Sequence, residues 1–334
     1  MDSSINMKIL FMGTPEFAKV SLESLVEHEN HNFGVVGVVT QPDKPAGRKM
    51  ILTPPPVKEY ALSRNIPVYQ PQTLKSDEFY NLLKEINPDI IILAAYGKIL
   101  PKNILDYPKY GSVNVHASLL PKYRGASPIN AAIINGEKTT GITIMYMDEG
   151  IDTGDMILKE STEIGECETF GELHDRLAQI GGRLLIEALN QIKNGTAKRA
   201  KQPENCISYV NVKKIDDSMC EIDWSAEAIE VCNKIRGLSP SPSAFTWLNG
   251  KKLKIYKAKI FKDYYLGAES SDMCGKINGE VIEFYNINKT IKVKTGDDNI
   301  IEILELQLEG GKKMSAKDFI NGRKIEKGTV LGGK

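Results

Sequence analysis

The 334-residue chain is 41% hydrophobic and 26% charged, with 43 basic side chains matching 43 acidic ones, the make-up of a soluble globular protein with room for two domains. Its longest strongly apolar run, Ile90 to Ala95, falls far short of the roughly 20 residues that cross a bilayer, and the amino terminus has no cationic start followed by an apolar stretch, so a cytoplasmic protein is expected. Five scattered cysteines (Cys167, Cys206, Cys220, Cys232, Cys274) with no C-x-x-C pair argue against a disulfide framework and against a structural zinc site.

Taken in order, Lys8 to Met12 reads as a strand, Thr14 as an N-cap, Pro15 as the first helical residue of a helix to about Val26, and Val35 to Val39 as the next strand. Strand, helix and strand at this spacing form a right-handed parallel βαβ unit, hence an α/β protein with a doubly wound, mostly parallel sheet. The first turn has a single glycine, so the dinucleotide fingerprint is missing and no NAD is expected. Residues 40–57 make a loop whose five prolines forbid regular hydrogen-bonded structure while stiffening it. It carries Lys44, Arg48 and Lys49, which are either cations held out for a partner or ordinary solvated charges. Apolar spacing predicts helices over 57–64 and 76–86, the second stopped by Asn87-Pro88. Asp89 to Gly97 is a strand buried on both faces, and Tyr96-Gly97 form its carboxyl end, the edge at which open α/β sheets bind ligands.

The densest stretch runs from Ser112 to Asp155. In Ser112-Val-Asn-Val-His116 the valines alternate with Asn114 and His116, so both polar side chains leave the same face of a strand, two residues apart. Gly141 to Met147 is a second buried strand, and it delivers Asp148-Glu-Gly-Ile-Asp152-Thr-Gly-Asp155, an acidic loop whose glycines permit tight turns. Asn114, His116 and Asp152 can then converge. A lone histidine in an apolar strand is more often a hydrogen-bonded core residue than a catalyst, and Asp-Gly is a common turn, so spacing alone does not decide.

Thr169 to Lys193 has the period of a long amphipathic helix that closes the first domain, 1–193, and polar residues 194–206 read as a linker. From Ile207 to the end the texture changes to short alternating runs at 253–260, 274–281, 290–296 and 300–306, with lysines on every second residue and glycine turns between. That describes a small, curved antiparallel barrel with a basic outer face over 207–334. Residues 1–190 hold 18 Lys and Arg against 24 Asp and Glu, and 191–334 hold 25 against 19. The basic half fits contact with a polyanion, although surplus lysine also serves solubility.

Asn114-Val-His116, Ser118-Leu-Leu-Pro121, Tyr123-Arg-Gly125 and Ile151-Asp-Thr-Gly154, with 38 positions from Asn114 to Asp152, resemble the signature of the 10-formyltetrahydrofolate-dependent formyltransferases. The similarity continues through Thr40 to Arg48, Ala94 to Gly97, Ile222-Asp-Trp224 and Met314-Ser-Ala316, nearly the whole chain. The resemblance implies a Rossmann-like formyltransferase domain followed by an OB-like, tRNA-binding barrel. It also implies transfer of the formyl group of 10-formyltetrahydrofolate to the α-amine of methionyl initiator tRNA for translation initiation, with no metal and no obligate protein partner. Carried over residue by residue, Asn114, His116 and Asp152 are catalytic. Tyr96, Gly97, Ser118, Leu119, Leu120 and Pro121 line the folate, with backbone groups reading the pterin, and Lys44, Arg48 and Lys49 meet the tRNA acceptor end. In that reaction Asn114 and a His116 ring N–H would face the developing oxyanion, while Asp152 fixes the histidine tautomer and orders a proton-relaying water. A non-catalytic RNA-binding protein would account for the barrel and the charge, but not for the three polar residues together.

Overall fold

A computed structural model describes residues 7–29, 33–46, 50–210, 215–261, 275–284, 290–322 and 325–333. Two compact units are present: Met1–Pro128, Thr139–Thr162 and His174–Asn211 make the first, and Ile129–Lys138, Glu163–Leu173 and Val212–Lys334 the second.

The first unit is built on a seven-stranded sheet in the order Met156–Glu163, Thr139–Tyr146, Ser112–His116, Ile90–Ala94, Lys8–Gly13, Gly34–Val39, Val68–Tyr69. Lys8–Gly13 is parallel to both of its neighbours and Ser112–His116 is parallel to Ile90–Ala94, whereas Thr139–Tyr146 runs antiparallel to Ser112–His116. The sheet is mixed and dominated by parallel pairs, as the βαβ reading expects. The central strands Lys8–Gly13, Gly34–Val39 and Ile90–Ala94 are near-continuous apolar runs because both of their faces are covered, whereas the edge strand Met156–Glu163 alternates toward solvent. On one face Leu10, Met12, Ile91 and Leu93 pack with Phe79 and Leu83 of the helix Asp77–Ile86. On the other, a Cβ added at Gly181 of the helix Phe170–Lys193 would stand 3.0 Å from Val115 Cγ1 and 3.7 Å from Ile142 Cδ1, so helix and sheet are in close contact there.

The turn after the first strand is equally tight. A Cβ at Gly13 would lie 2.6 Å from the Ala18 Cβ and 2.9 Å from the Ala94 carbonyl oxygen, both of them unable to move away cheaply. Gly13→Ala is therefore expected to cost about 1–3 kcal/mol, measured as a lower urea midpoint at unchanged slope. The following helix spans Glu16–Glu27, one residue later than predicted, with Pro15 in the cap position and no side-chain cap. Proline fits there because it has no N–H to satisfy. Thr14, which caps nothing, bridges strand ends instead. Its hydroxyl donates to the Tyr96 carbonyl (3.4 Å) and accepts from the Gln41 N–H (3.4 Å), joining the ends of three strands.

The proline-rich loop is more regular than its composition suggests. Lys44–Ala46 pairs antiparallel with Ile51–Thr53, Pro45 opposite Leu52. A two-stranded ribbon has two free edges, so a proline can turn its missing donor outward without breaking the ladder. Met50, Ile51 and Leu52 are exposed at its tip. Arg48 and Lys49 lie outside the described residues.

The second unit holds a curled antiparallel sheet in the order Ala244–Leu248, Lys251–Ile260, Ile300–Leu308, Ile291–Lys294, Val281–Phe284, with Met314–Ser315 paired to Ile300–Leu308. Register shifts after Ile255 and after Val281 help it curl. The helix Ala228–Leu238 buries Val231, Ile235 and Leu238 against Ile255, Ile303, Leu306 and Phe319, forming the unit's core. The strand expected over 274–281 begins only at Val281, because Gly275 (φ +79°) and Gly279 (φ +83°) hold the preceding residues in turns; Cys274 lies outside the described residues. Lysines alternate to the outside along Lys251–Ile260, but Lys292 and Lys294 are only 3% and 6% exposed. Lys292 Nζ sits 3.4 Å from the centre of the Phe261 ring and Lys294 Nζ 2.7 Å from Asp298. Among the described residues no helix is long and apolar enough to cross a membrane.

Candidate active site

Ser112–His116 lies beside the carboxyl end of Ile90–Ala94, with Asn114 opposite Leu93 on one side and Met145 on the other. Strand alternation sends Asn114 and His116 to one face, where the loop after Thr139–Tyr146 brings Asp152. That loop returns closely on its own strand: a Cβ at Gly154 would lie 1.9 Å from the Tyr146 carbonyl oxygen, so only glycine permits the approach. Asp152 itself has φ +52°, the left-handed region that Asp and Asn enter more readily than most residues.

The three side chains meet as the spacing predicts. Asn114 Nδ2 is 3.4 Å from Asp152 Oδ1, and His116 Nδ1 is 3.6 Å from Asp152 Oδ2. The Gly125 N–H donates to Asp152 Oδ2 at 2.7 Å. His116 is buried and Asp152 nearly so, with 7% and 16% of their side chains exposed, which keeps the group in a medium where charge and hydrogen bonds count for more than in water. His116 Nε2 lies 2.9 Å from the Tyr123 carbonyl oxygen. A carbonyl can only accept, so Nε2 carries the hydrogen, and Nδ1 is the ring nitrogen turned to Asp152. The expected presentation of a His116 ring N–H to an oxyanion is thus revised, since the Nε2–H is committed to Tyr123.

The residues anticipated around a folate are spread over two depths. Gly97 (φ +81°) is exposed at the sheet's carboxyl edge with nothing within 4 Å of where a Cβ would stand, and Leu119 is half-buried. Tyr96 is 3% exposed within the apolar cluster of Leu10, Leu93 and Leu100, where burial pushes its phenol up to about 12 and its hydroxyl has no hydrogen-bond partner among the described residues. Ser118 is buried and donates to the Lys122 carbonyl at 2.6 Å. Leu120 packs on Met145 and Met156, and its N–H donates to Thr143 Oγ1 at 3.2 Å. The Pro121 carbonyl accepts from the Ser208 N–H at 3.3 Å. Lys44 is exposed on the short hairpin.

The sequence places 200–206 in a linker and 207–210 at the start of the barrel. They are bound into the site. Ala200 exchanges backbone bonds with Met156 (2.8 and 2.9 Å), and Tyr209–Val210 runs parallel to Arg124–Gly125. The Ser208 hydroxyl accepts from the Tyr123 N–H (2.8 Å). Gln202 Nε2 donates to the carbonyls of Asp152 (2.8 Å) and Gly154 (2.9 Å). Its only sequence signal is polarity, which a linker shares.

Comparison with known proteins bears on this arrangement. The profile of the formyl transferase family matches residues 7–189, and that of the formyl transferase C-terminal domain matches residues 214–324. A methionyl-tRNA formyltransferase of Alkaliphilus oremlandii is 48% identical over 327 residues, covering 98% of this chain and 100% of the relative. The methionyl-tRNA formyltransferase of Clostridioides difficile is 46% identical over 327 residues, at 98% and 100% coverage. Among solved structures, the sugar 3N-formyl transferase WlaRD, crystallised with dTDP and 5-N-formyl-THF, superposes with a TM-score of 0.64 at 22% identity. The match covers 92% of this chain and 99% of that one and is a likeness of fold.

Proposed function

The chain belongs to the formyl transferase family, among the methionyl-tRNA formyltransferases, and we propose that it moves the formyl group of 10-formyltetrahydrofolate onto the α-amine of methionyl initiator tRNA. The observation that carries the mechanism is the convergence of Asn114, His116 and Asp152 at the carboxyl edge of the sheet.

In the reaction the amine nitrogen bonds to the formyl carbon, the bond from that carbon to N10 breaks, and one proton passes from the amine to N10. An α-amino group has a pKa of about 7.7, so it is readily neutral near physiological pH and needs only a modest base. Asn114 has two amide hydrogens, one turned to Asp152; the other is free to donate to the formyl oxygen as it becomes an oxyanion. Asp152, oriented by the Gly125 N–H, accepts the amine proton directly or through one water. His116, its ring fixed by Tyr123, holds Nδ1 within a short step of the carboxylate and hands the proton on to the departing nitrogen.

The formyl donor fits the open face of Gly97, where backbone is approachable, and the half-buried Leu119 is the other anticipated residue with side-chain surface left to offer it. Tyr96, Ser118, Leu120 and Pro121 then shape that wall from behind, since their side chains are enclosed and several of their backbone groups are already bonded. Lys44 on its hairpin, and Arg48 and Lys49 by sequence, are the tRNA-facing cations, and the setting is the cytoplasm, where initiator tRNA is charged.

Incubating the protein with 10-formyltetrahydrofolate and methionyl-tRNA tests the proposal. Formylmethionyl-tRNA is expected, with no transfer to a dTDP-amino sugar; the reverse pattern would overturn it.

A further inference from the structure

We propose that Gln202 and Arg124 are positioning residues that hold the Asp152 loop in its reactive place, an inference that rests on Asp152 taking part in the chemistry. The Gln202 carboxamide is used at both ends. Nε2 donates to the Asp152 and Gly154 carbonyls at 2.8 and 2.9 Å, and Oε1 accepts from Arg124 Nε at 3.0 Å and Nη2 at 2.7 Å. Chemistry fixes this orientation: carbonyls only accept and a guanidinium only donates, so a turned amide would set acceptor against acceptor and donor against donor. Arg124 is 6% exposed, and its Nη1 donates to the Tyr209 hydroxyl at 2.8 Å.

The pair reaches Asp152 from two directions. Gln202 binds its main-chain carbonyl, and Gly125, the residue after Arg124, binds its carboxylate through the backbone N–H. Asp152 needs such holding, because its left-handed backbone persists only where surrounding contacts enforce it. Catalytic groups displaced by as little as about 1 Å can lose about 10²-fold in rate. The geometry therefore assigns to Gln202 control over where the carboxylate stands, with no contact to substrate.

The test compares Gln202→Ala, Gln202→Glu and Tyr209→Phe in the full chain, with Asp152→Asn as reference. Glutamate keeps an acceptor for Arg124 but sets oxygen against the two carbonyls. Tyr209 is 49% exposed, so its variant removes the outermost bond with little risk to folding. Both Gln202 variants should lower kcat by about 10- to 100-fold, leave KM for methionyl-tRNA and for the formyl donor within about twofold, and displace a limb of the pH–rate profile. Tyr209→Phe should change kcat in the same direction by less. A loss traced wholly to a smaller active fraction with an unaltered pH profile, or a raised KM at unchanged kcat, overturns the positioning role. If Asp152→Asn is inactive while Gln202→Ala is not, the positioning role alone fails. If Asp152→Asn stays active, the catalytic reading of Asp152 fails instead.

Discussion

Asp152→Asn should lower the rate of methionyl-tRNA formylation by about 10²- to 10⁴-fold, the range that a positioned proton acceptor contributes. The substitution preserves shape and removes basicity. A carboxamide oxygen can still accept the Gly125 N–H that now meets Oδ2 at 2.7 Å, but its other end becomes a donor facing the Asn114 amide, itself a donor at 3.4 Å. That clash acts over a long contact of 3.4 Å, so the melting temperature should move by only a few degrees. Single-turnover transfer, measured with saturating formyl donor, isolates the chemical step. Turnover within about threefold of the parent protein, well under the smallest effect expected of a proton acceptor, would remove Asp152 from proton transfer.

Asn114→Ala is expected to cost about 10²- to 10³-fold in kcat, or roughly 3 kcal/mol of transition-state stabilisation, with KM for both substrates little changed. In the proposed mechanism the second amide hydrogen of Asn114 meets an oxygen whose charge develops only during attack, so its removal would be felt in the transition state and hardly in the bound substrates. Because Asn114 and Asp152 touch, the double variant should lose less than the product of the two single losses. A simple product would mean that the two residues act in separate steps.

Strand alternation made Asn114 and His116 legible, since the period of two leaves no choice about which face they share. The sheet was legible for a related reason: Ile90 to Ala94 is entirely buried and its sequence is entirely apolar. The hydrogen bond from His116 to Tyr123 was not, because Tyr123 takes φ +58° and turns its carbonyl back toward the strand, a local conformation that tyrosine seldom announces. The edge strand Met156–Glu163 was missed although its burial alternates, since its outward positions are Lys159, Ser161 and similar polar residues that also suit a loop. Lys292 and Lys294 read as outward lysines by the same period-two rule and are nonetheless enclosed, Lys292 over an aromatic ring and Lys294 against Asp298. Gln202 escaped for a deeper reason: its partners lie 48 to 78 positions away, and nothing in a polar stretch says which distant carbonyls it will meet.

The attachment of residues 200–210 also fixes where the polypeptide can be divided. A fragment ended at residue 193, or a chimera grafted within 194–206, would discard Ser208 and the paired Tyr209–Val210, stranding the Tyr123 and Arg124 backbone donors and the buried guanidinium that they now satisfy. A seam placed after Val210 keeps this clasp with the first half, while Ile129–Lys138 and Glu163–Leu173, which belong to the second unit, stay on its amino-terminal side.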